Sequence, residues 1–250
     1  MPHQPHPFPW QSPEVVARFF GNLRGAVPIA IEQVSMMLQL VRAARGEHVT
    51  RLLDLGGGDG LLAAALLDEY PKSRAWMLEA QAGGLAGARQ QLDERLGRVA
   101  FVPADAARPG WEQATCGGIP FDVIVSAFSM QNLPAPRKRA LYAELFGLLQ
   151  PGGLFISIEH VASATRWTQS VWDDYVIDSI FGEAIKGSPG RTRAEVAREH
   201  YARSAHTVGG LAPLEVQCDW LREVGFENVE CYLKVLELAM FGGQREAERL

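Results

Sequence analysis

Gly56, Gly58 and Gly60 stand two apart, with Asp54 just before them and Asp59 between the last two. Glycines this close give a tight turn with positive φ and let a ligand approach the backbone. The apolar stretch Arg51 to Leu55 precedes the turn and a helical pattern follows it. A buried parallel strand therefore runs into a turn and then a helix whose free N–H groups face that turn. A dinucleotide-binding turn reads G-x-G-x-x-G. Its third glycine would fall at Leu61, but here it comes one place early, at Gly60. Two carboxylates beside the turn would repel a phosphate; they suit a ligand that carries positive charge.

Other polar residues close the later apolar runs. Glu79 follows Arg74 to Leu78, Asp105 and Ala106 follow Val99 to Val102, Ser126 and Ala127 end the run from Phe121, and Glu159-His160 follow Leu154 to Ile158. In an open parallel sheet the ligand crevice lies at these strand ends. A carboxylate at Glu79 can accept from both hydroxyls of a ribose, although dinucleotide-binding folds place an acid there too. His160 can take a proton from a hydroxyl or thiol, or simply cap its strand by bonding a loop carbonyl. Glu159, its neighbour, points to the other face if the strand continues. His206 is the competing histidine, and His3 and His6 lie in the proline-rich amino terminus.

Asp54 to Gly60, with Glu79 and Asp105 downstream, resembles the class I S-adenosylmethionine-dependent methyltransferases, whose first motif reads acid-x-G-x-G-x-G. The resemblance covers residues 51 to 160 and returns for roughly 213 to 241. It implies S-adenosyl-L-methionine as cofactor, with S-adenosyl-L-homocysteine as product. Gly56 and Gly58 would form the cofactor turn and Glu79 would hold the ribose. Asp105 would accept from the adenine amino group, with the Ala106 N–H at the ring nitrogen. Asp54 would face the methionine end, and the carbonyls of Ser126 and Ala127 would face its ammonium. Alternatives stay open: Asp54 as a helix-terminus acid, Asp105 as a cap of the following helix, and Asp59 as an N-cap.

The stretch Ser126 to Pro134, SAFSMQNLP, lacks the N/D-P-P-Y/F of amino methyltransferases and looks like the small-molecule branch. Members of that branch often carry a histidine pair before Leu-Pro. Gln131 and Asn132 stand there instead, and neither accepts a proton at neutral pH. The implied activity is methyl transfer to an O, N or S nucleophile of a small molecule, with His160 as the candidate base. Gln131, Trp172 and Tyr175 are the candidate substrate contacts. The stretch from Pro213 to Val235, with Val27-Pro28, is also distantly similar to carboxy-S-adenosylmethionine synthases, although no carboxylate-binding arginine can be matched. A non-catalytic S-adenosylmethionine-binding protein is a further alternative.

The elements that position these groups alternate between strand and helix, which predicts an α/β fold with a doubly wound, mostly parallel sheet. The resemblance implies seven strands in the order 3-2-1-4-5-7-6, the last antiparallel. Helices are expected from Pro13 to about Asn22, from Pro28 to Arg45 and from Gly60 to Tyr70. Others are expected from Gly84 to Leu96, from Pro136 to Leu149 and from Pro213 to Val224. A short, loosely specified helix falls between Trp111 and Cys116. Strand six is expected up to Tyr232 and strand seven over Lys234 to Met240. Residues 1–46 form an N-terminal helical cap and 47–160 the cofactor-binding core. Residues 161–212 form a helical insertion read as a lid, and 213–250 complete the core with a hairpin. Packing of the insertion's aromatic face into a rigid wall is the plain alternative.

Composition narrows the rest. The chain has 250 residues and a net charge of −5, with no basic block, which argues against a nucleic-acid partner. Cys116, Cys218 and Cys231 are scattered and form no C-x-x-C, so no metal or disulfide framework is expected. No apolar run reaches membrane-spanning length, and the first residues carry no signal-peptide pattern. The expectation is a cytoplasmic protein, monomer or homodimer, with a small-molecule substrate and no membrane partner.

Overall fold

A computed structural model describes residues 29–115, 117–187, 190–207 and 210–247, with the side chains of 183–187 and 203–207 left aside. The helix expected before Asn22, together with His3, His6, Cys116 and the side chain of His206, lies outside the described residues.

Seven strands form one sheet in the order β3-β2-β1-β4-β5-β7-β6. They are β1 (Arg51–Leu55), β2 (Arg74–Leu78), β3 (Val99–Val102), β4 (Phe121–Ala127), β5 (Leu149–His160), β6 (Glu227–Val235) and β7 (Leu238–Gln244). The first five strands pair in parallel, and β7 runs antiparallel to both β5 and β6. The expected order and the antiparallel last strand are both present. The helices are α1 (Ala30–Arg45), α2 (Leu61–Glu69), α3 (Ala82–Gln91), α4 (Ala135–Leu148), α5 (Arg166–Gly187), α6 (Arg193–Thr207) and α7 (Leu214–Val224).

Strand alternation divides the core into two layers. Leu52, Val123, Val125, Ile156 and Ile158 share one layer with Val34, Met37, Leu38 and Val41 of α1 and the apolar body of α2. Leu53, Leu55, Ile124 and Phe155 share the other with Leu141, Tyr142 and Leu145 of α4 and Leu221 of α7. Each strand residue near the carboxyl ends is thereby assigned a face before any chemistry is considered.

Three expected boundaries shift. The segment from Trp111 to Ala114 is a 3-10 turn rather than an α-helix. The helix expected from Gly84 to Leu96 is α3 followed by a 3-10 turn, Asp93–Arg98. The last hairpin turns at Leu236-Glu237, with Leu236 at φ 53, so that β6 ends at Val235 rather than Tyr232 and β7 begins at Leu238 rather than Lys234. Neither glycine nor asparagine marks that turn, so the sequence carried no punctuation there.

Candidate active site

The turn after β1 is clamped to β2. The amides of Gly56 and Gly57 both donate to the Leu78 carbonyl, at 2.8 and 3.1 Å, and the Gly58 amide donates to Glu79 Oε2 at 3.1 Å. Gly56 sits at φ 65, and a Cβ there would stand 2.2 Å from Ser129 Cβ. Glycine is required at this position on both counts.

Around this turn the carboxyl ends of β1 to β4 enclose a cavity of about 610 Å³. Of the expected cofactor residues, Gly56, Gly58, Glu79, Asp105, Ala106 and Ala127 line it. Leu78, Gln81, Gly84, Phe128, Ser129, Met130, Asn132 and Leu133 complete much of the wall. Among the described residues, no lysine, arginine or histidine belongs to that wall.

The other three expected cofactor residues stand behind the wall. Asp54 is 1% exposed, and its Oδ2 accepts from the Ala63 amide at 3.1 Å, in the first turn of α2. Its place on the α2 face follows from alternation with Leu53. Asp59 Oδ1 accepts from the Leu61 amide at 3.3 Å. Ser126 is fully buried; its hydroxyl donates to the Leu55 carbonyl at 3.0 Å and meets Ser129 Oγ at 2.6 Å. These contacts match the structural alternatives for Asp54 and Asp59, while keeping both carboxylates beside the glycine turn.

The wall residues keep acceptor capacity. Glu79 takes one amide on each oxygen, Gly58 on Oε2 and Gln81 on Oε1, and a carboxylate has about four lone-pair sites in all. Two remain for a pair of neighbouring hydroxyls. Asp105 Oδ1 accepts from the Ala107 amide at 2.8 Å. Arg137 of α4 grips the Ala106 carbonyl at 2.7 Å while its guanidinium pairs with Glu144. Arg137 carries no signal in the sequence, because its role depends on which strand end α4 passes. The donor set fits S-adenosylmethionine: carboxylates for ribose and adenine, an anionic turn and, among the described residues of the wall, no cation to repel a sulfonium or ammonium.

A second group of side chains gathers at the end of β5, on the α1 face. His160 Nε2 meets Glu237 Oε2 at 2.5 Å, and the His160 amide donates to Gln131 Oε1 at 3.3 Å. The His160 ring lies 5.5 Å from Trp172, which stacks on Tyr175 at 6.3 Å. The four expected catalytic and substrate residues are thus neighbours, next to the cavity rather than in its wall. Sequence reasoning missed Glu237, a buried carboxylate in the β6–β7 turn. Its one signal was an acid placed between Leu236 and Leu238 in an apolar run.

Glu159 faces the opposite layer, as alternation requires. It is 1% exposed, and its Oε1 accepts from the Met130 amide at 3.0 Å. Burial pushes its carboxyl up to about 7, against the pull of the Met130 amide and Lys138.

A family model described as a methyltransferase domain matches residues 52–153. A ubiquinone/menaquinone biosynthesis C-methyltransferase of Methylobacterium nodulans is 33% identical over 199 residues, covering 78% of this chain and 72% of the relative. A carboxy-S-adenosyl-L-methionine synthase of Chromohalobacter salexigens is 24% identical over 242 residues, covering 94% of this chain and 82% of the relative. Among solved structures, an O-methyltransferase family protein of Burkholderia thailandensis superposes with a TM-score of 0.58 at 19% identity. That match covers 94% of this chain but 63% of the solved chain, a likeness of fold.

Proposed function

The chain belongs to the class I S-adenosylmethionine-dependent methyltransferases, and from that membership we propose that it methylates an O, N or S nucleophile of a small molecule held beside His160. When bound, the cofactor supplies a methyl group already activated by a sulfonium. Glu79 holds the ribose, Asp105 and the Ala106 amide take the adenine, and Gly56 and Gly58 let the methionine part lie against backbone near Asp54 and Ala127. The protein then has to align a nucleophile and exclude water, and alignment alone contributes about 7–11 kcal/mol.

The observation that carries the acceptor side is the His160–Glu237 contact beside Gln131 and Trp172. With Glu237 as acceptor, Nε2 carries the proton and Nδ1 keeps its lone pair. Nδ1 is the atom that takes the proton of a hydroxyl or thiol acceptor. Gln131 fixes the backbone of His160, and Trp172 with Tyr175 offers an aromatic face to the acceptor. Residues 161–212 act as the lid over it. Mass spectrometry of the ligand that copurifies, followed by a methyl-transfer screen on phenols, amines and thiols, tests this reading. No transfer to any of the three classes, with S-adenosylhomocysteine bound, would refute it.

A carboxy-S-adenosylmethionine synthase is the second reading, favoured by the relative that covers 94% of the chain. The cavity wall opposes it, because none of the described residues that line it supplies a cation for a carboxylate.

A further inference from the structure

Two buried charges of opposite sign grip consecutive residues of the loop that follows β4. Glu159 accepts from the Met130 amide at 3.0 Å, and Lys138 Nζ donates to the Gln131 carbonyl at 3.1 Å. Each side chain is 1% exposed. Neither belongs to the cavity wall, but Met130 does, with Phe128, Ser129 and Asn132 on either side of it in the loop.

The loop is not in a relaxed shape. Phe128 lies at φ 55, a left-handed conformation that is strained for a non-glycine residue. Ser129 is pressed into the space over Gly56. Such a shape persists only where its surroundings impose it. Burying two charges is itself costly, and apolar residues of similar size fill such a space at least as favourably. Packing alone therefore gives no reason for a carboxylate and an ammonium here. Holding an amide and a carbonyl of one strained loop does.

The grip also reaches further. Lys138 Nζ donates to the Gly210 carbonyl at 2.9 Å, where the helical insertion returns to the sheet. A Cβ on Gly210 would stand 2.8 Å from the Asn132 backbone. Gln131, held by its carbonyl, bonds the His160 amide through its side chain. One lysine thus fixes the loop, the end of the insertion and, through Gln131, the approach to His160.

We propose that Glu159 and Lys138 are positioning residues, a buried carboxyl and a buried lysine whose hydrogen bonds hold residues 128–132 in the shape that completes the cofactor cavity. The affinity arm of the test rests on the methyltransferase reading; the amide-exchange arm does not. The full-length Glu159→Met, Lys138→Met and double variants are compared with Glu159→Gln, whose carbonyl can still accept from Met130. The readouts are S-adenosylhomocysteine affinity by calorimetry, thermal melting, and exchange of the Met130 amide without ligand.

Each methionine variant is expected to weaken binding about tenfold or more and to speed Met130 exchange. Glu159→Gln restores most of both, because the hydrogen bond survives without the charge. The double variant leaves neither charge buried without the other and stays folded, yet it binds weakly. A double variant with wild-type affinity and wild-type Met130 exchange would overturn the proposal. So would one that fails to fold, because the pair would then serve the core. Wild-type protein that does not bind S-adenosylhomocysteine would instead count against the cofactor reading, with Met130 exchange still reporting on the grip.

Discussion

Glu237 reaches His160 from a turn 77 residues further along the chain, and it holds that histidine twice. Its side chain meets the ring nitrogen Nε2, and its carbonyl accepts from the Val161 amide at 2.7 Å. The second contact fixes the end of β5, so the first cannot drift. A ring held this way keeps one orientation, which the proposed role as general base requires.

His160→Ala should therefore lower kcat by about 10²–10⁴-fold on a hydroxyl or thiol acceptor, with little change in S-adenosylhomocysteine affinity. Glu237→Gln should fall between wild type and His160→Ala. Its carboxamide can still orient the ring but brings no charge to balance a protonated imidazole. Steady-state kinetics across a pH series checks both. Normal turnover with an unaltered pH–rate profile in His160→Ala would make the histidine structural and leave proximity to drive transfer.

The cofactor residues separate by where they stand. Glu79 is on the cavity wall, so Glu79→Ala should weaken S-adenosylhomocysteine at least tenfold, or about 1.4 kcal/mol, with little change in melting temperature. Asp54 is buried against the amide of Ala63, so Asp54→Ala should lower affinity and melting temperature together. Unchanged affinity in both variants would remove the assignment of the site.

Gly56→Ala tests the turn itself. Its Cβ would collide with Ser129 at a backbone angle of φ 65, so a loss of roughly 1–3 kcal/mol in stability is expected. Chemical denaturation measures it directly, and a loss below about half a kcal/mol would show that the post-β4 loop yields freely.

The sequence made the wall legible and its supports invisible. Glu79, Asp105 and the glycines sit at strand ends that hydrophobic periodicity locates, and strand ends face the crevice whatever the details. Alternation even placed His160 and Glu159 on opposite faces. Arg137, Lys138 and Glu237 were unreadable for one reason: each acts across the fold, on a backbone group or ring brought near it only by packing. Lys138 reads as an ordinary helical lysine until α4 is docked, and only then is its ammonium buried. The hairpin turn at Leu236 was missed because no turn residue marks it; the pairing of β6 with β7 sets its place instead.

Burial of Glu159 has a consequence for stability against pH. Its carboxyl is raised to about 7 from the model-compound value of 4.5 by desolvation, with Lys138 and the Met130 amide pulling the other way. Tyr142 of α4 faces it too, with its own hydroxyl raised well above the ordinary value by burial. A folded-state value above the unfolded one means the folded protein binds the extra proton. This contribution is complete below about 4.5 and is lost as the pH rises through about 7. Glu159→Gln removes it, so the melting temperature of the variant relative to wild type should rise between pH 5 and pH 8. A difference that is flat with pH would show that Glu159 is ionised throughout.

The last prediction concerns the insertion. Trp167, Val171 and Tyr175 recur every four residues on α5 and are 73%, 37% and 45% exposed. An apolar stripe at that spacing on one helical face is ordinarily buried. Here it continues from Trp172, which touches His160 and is itself 7% exposed. The helix therefore has one aromatic docked against His160 and a row of apolar side chains beside it in solvent. α5 and α6 are tied to each other by His200 with Asp173 and by Arg193 with Asp174, so they would move as a unit. If the unit is a lid, cofactor and acceptor together should slow hydrogen exchange in residues 166–207 and change the emission of Trp167, whereas cofactor alone should do less. Exchange that stays the same with both ligands bound would make the hairpin a fixed wall, and the exposed stripe would then play no part in closing over the acceptor.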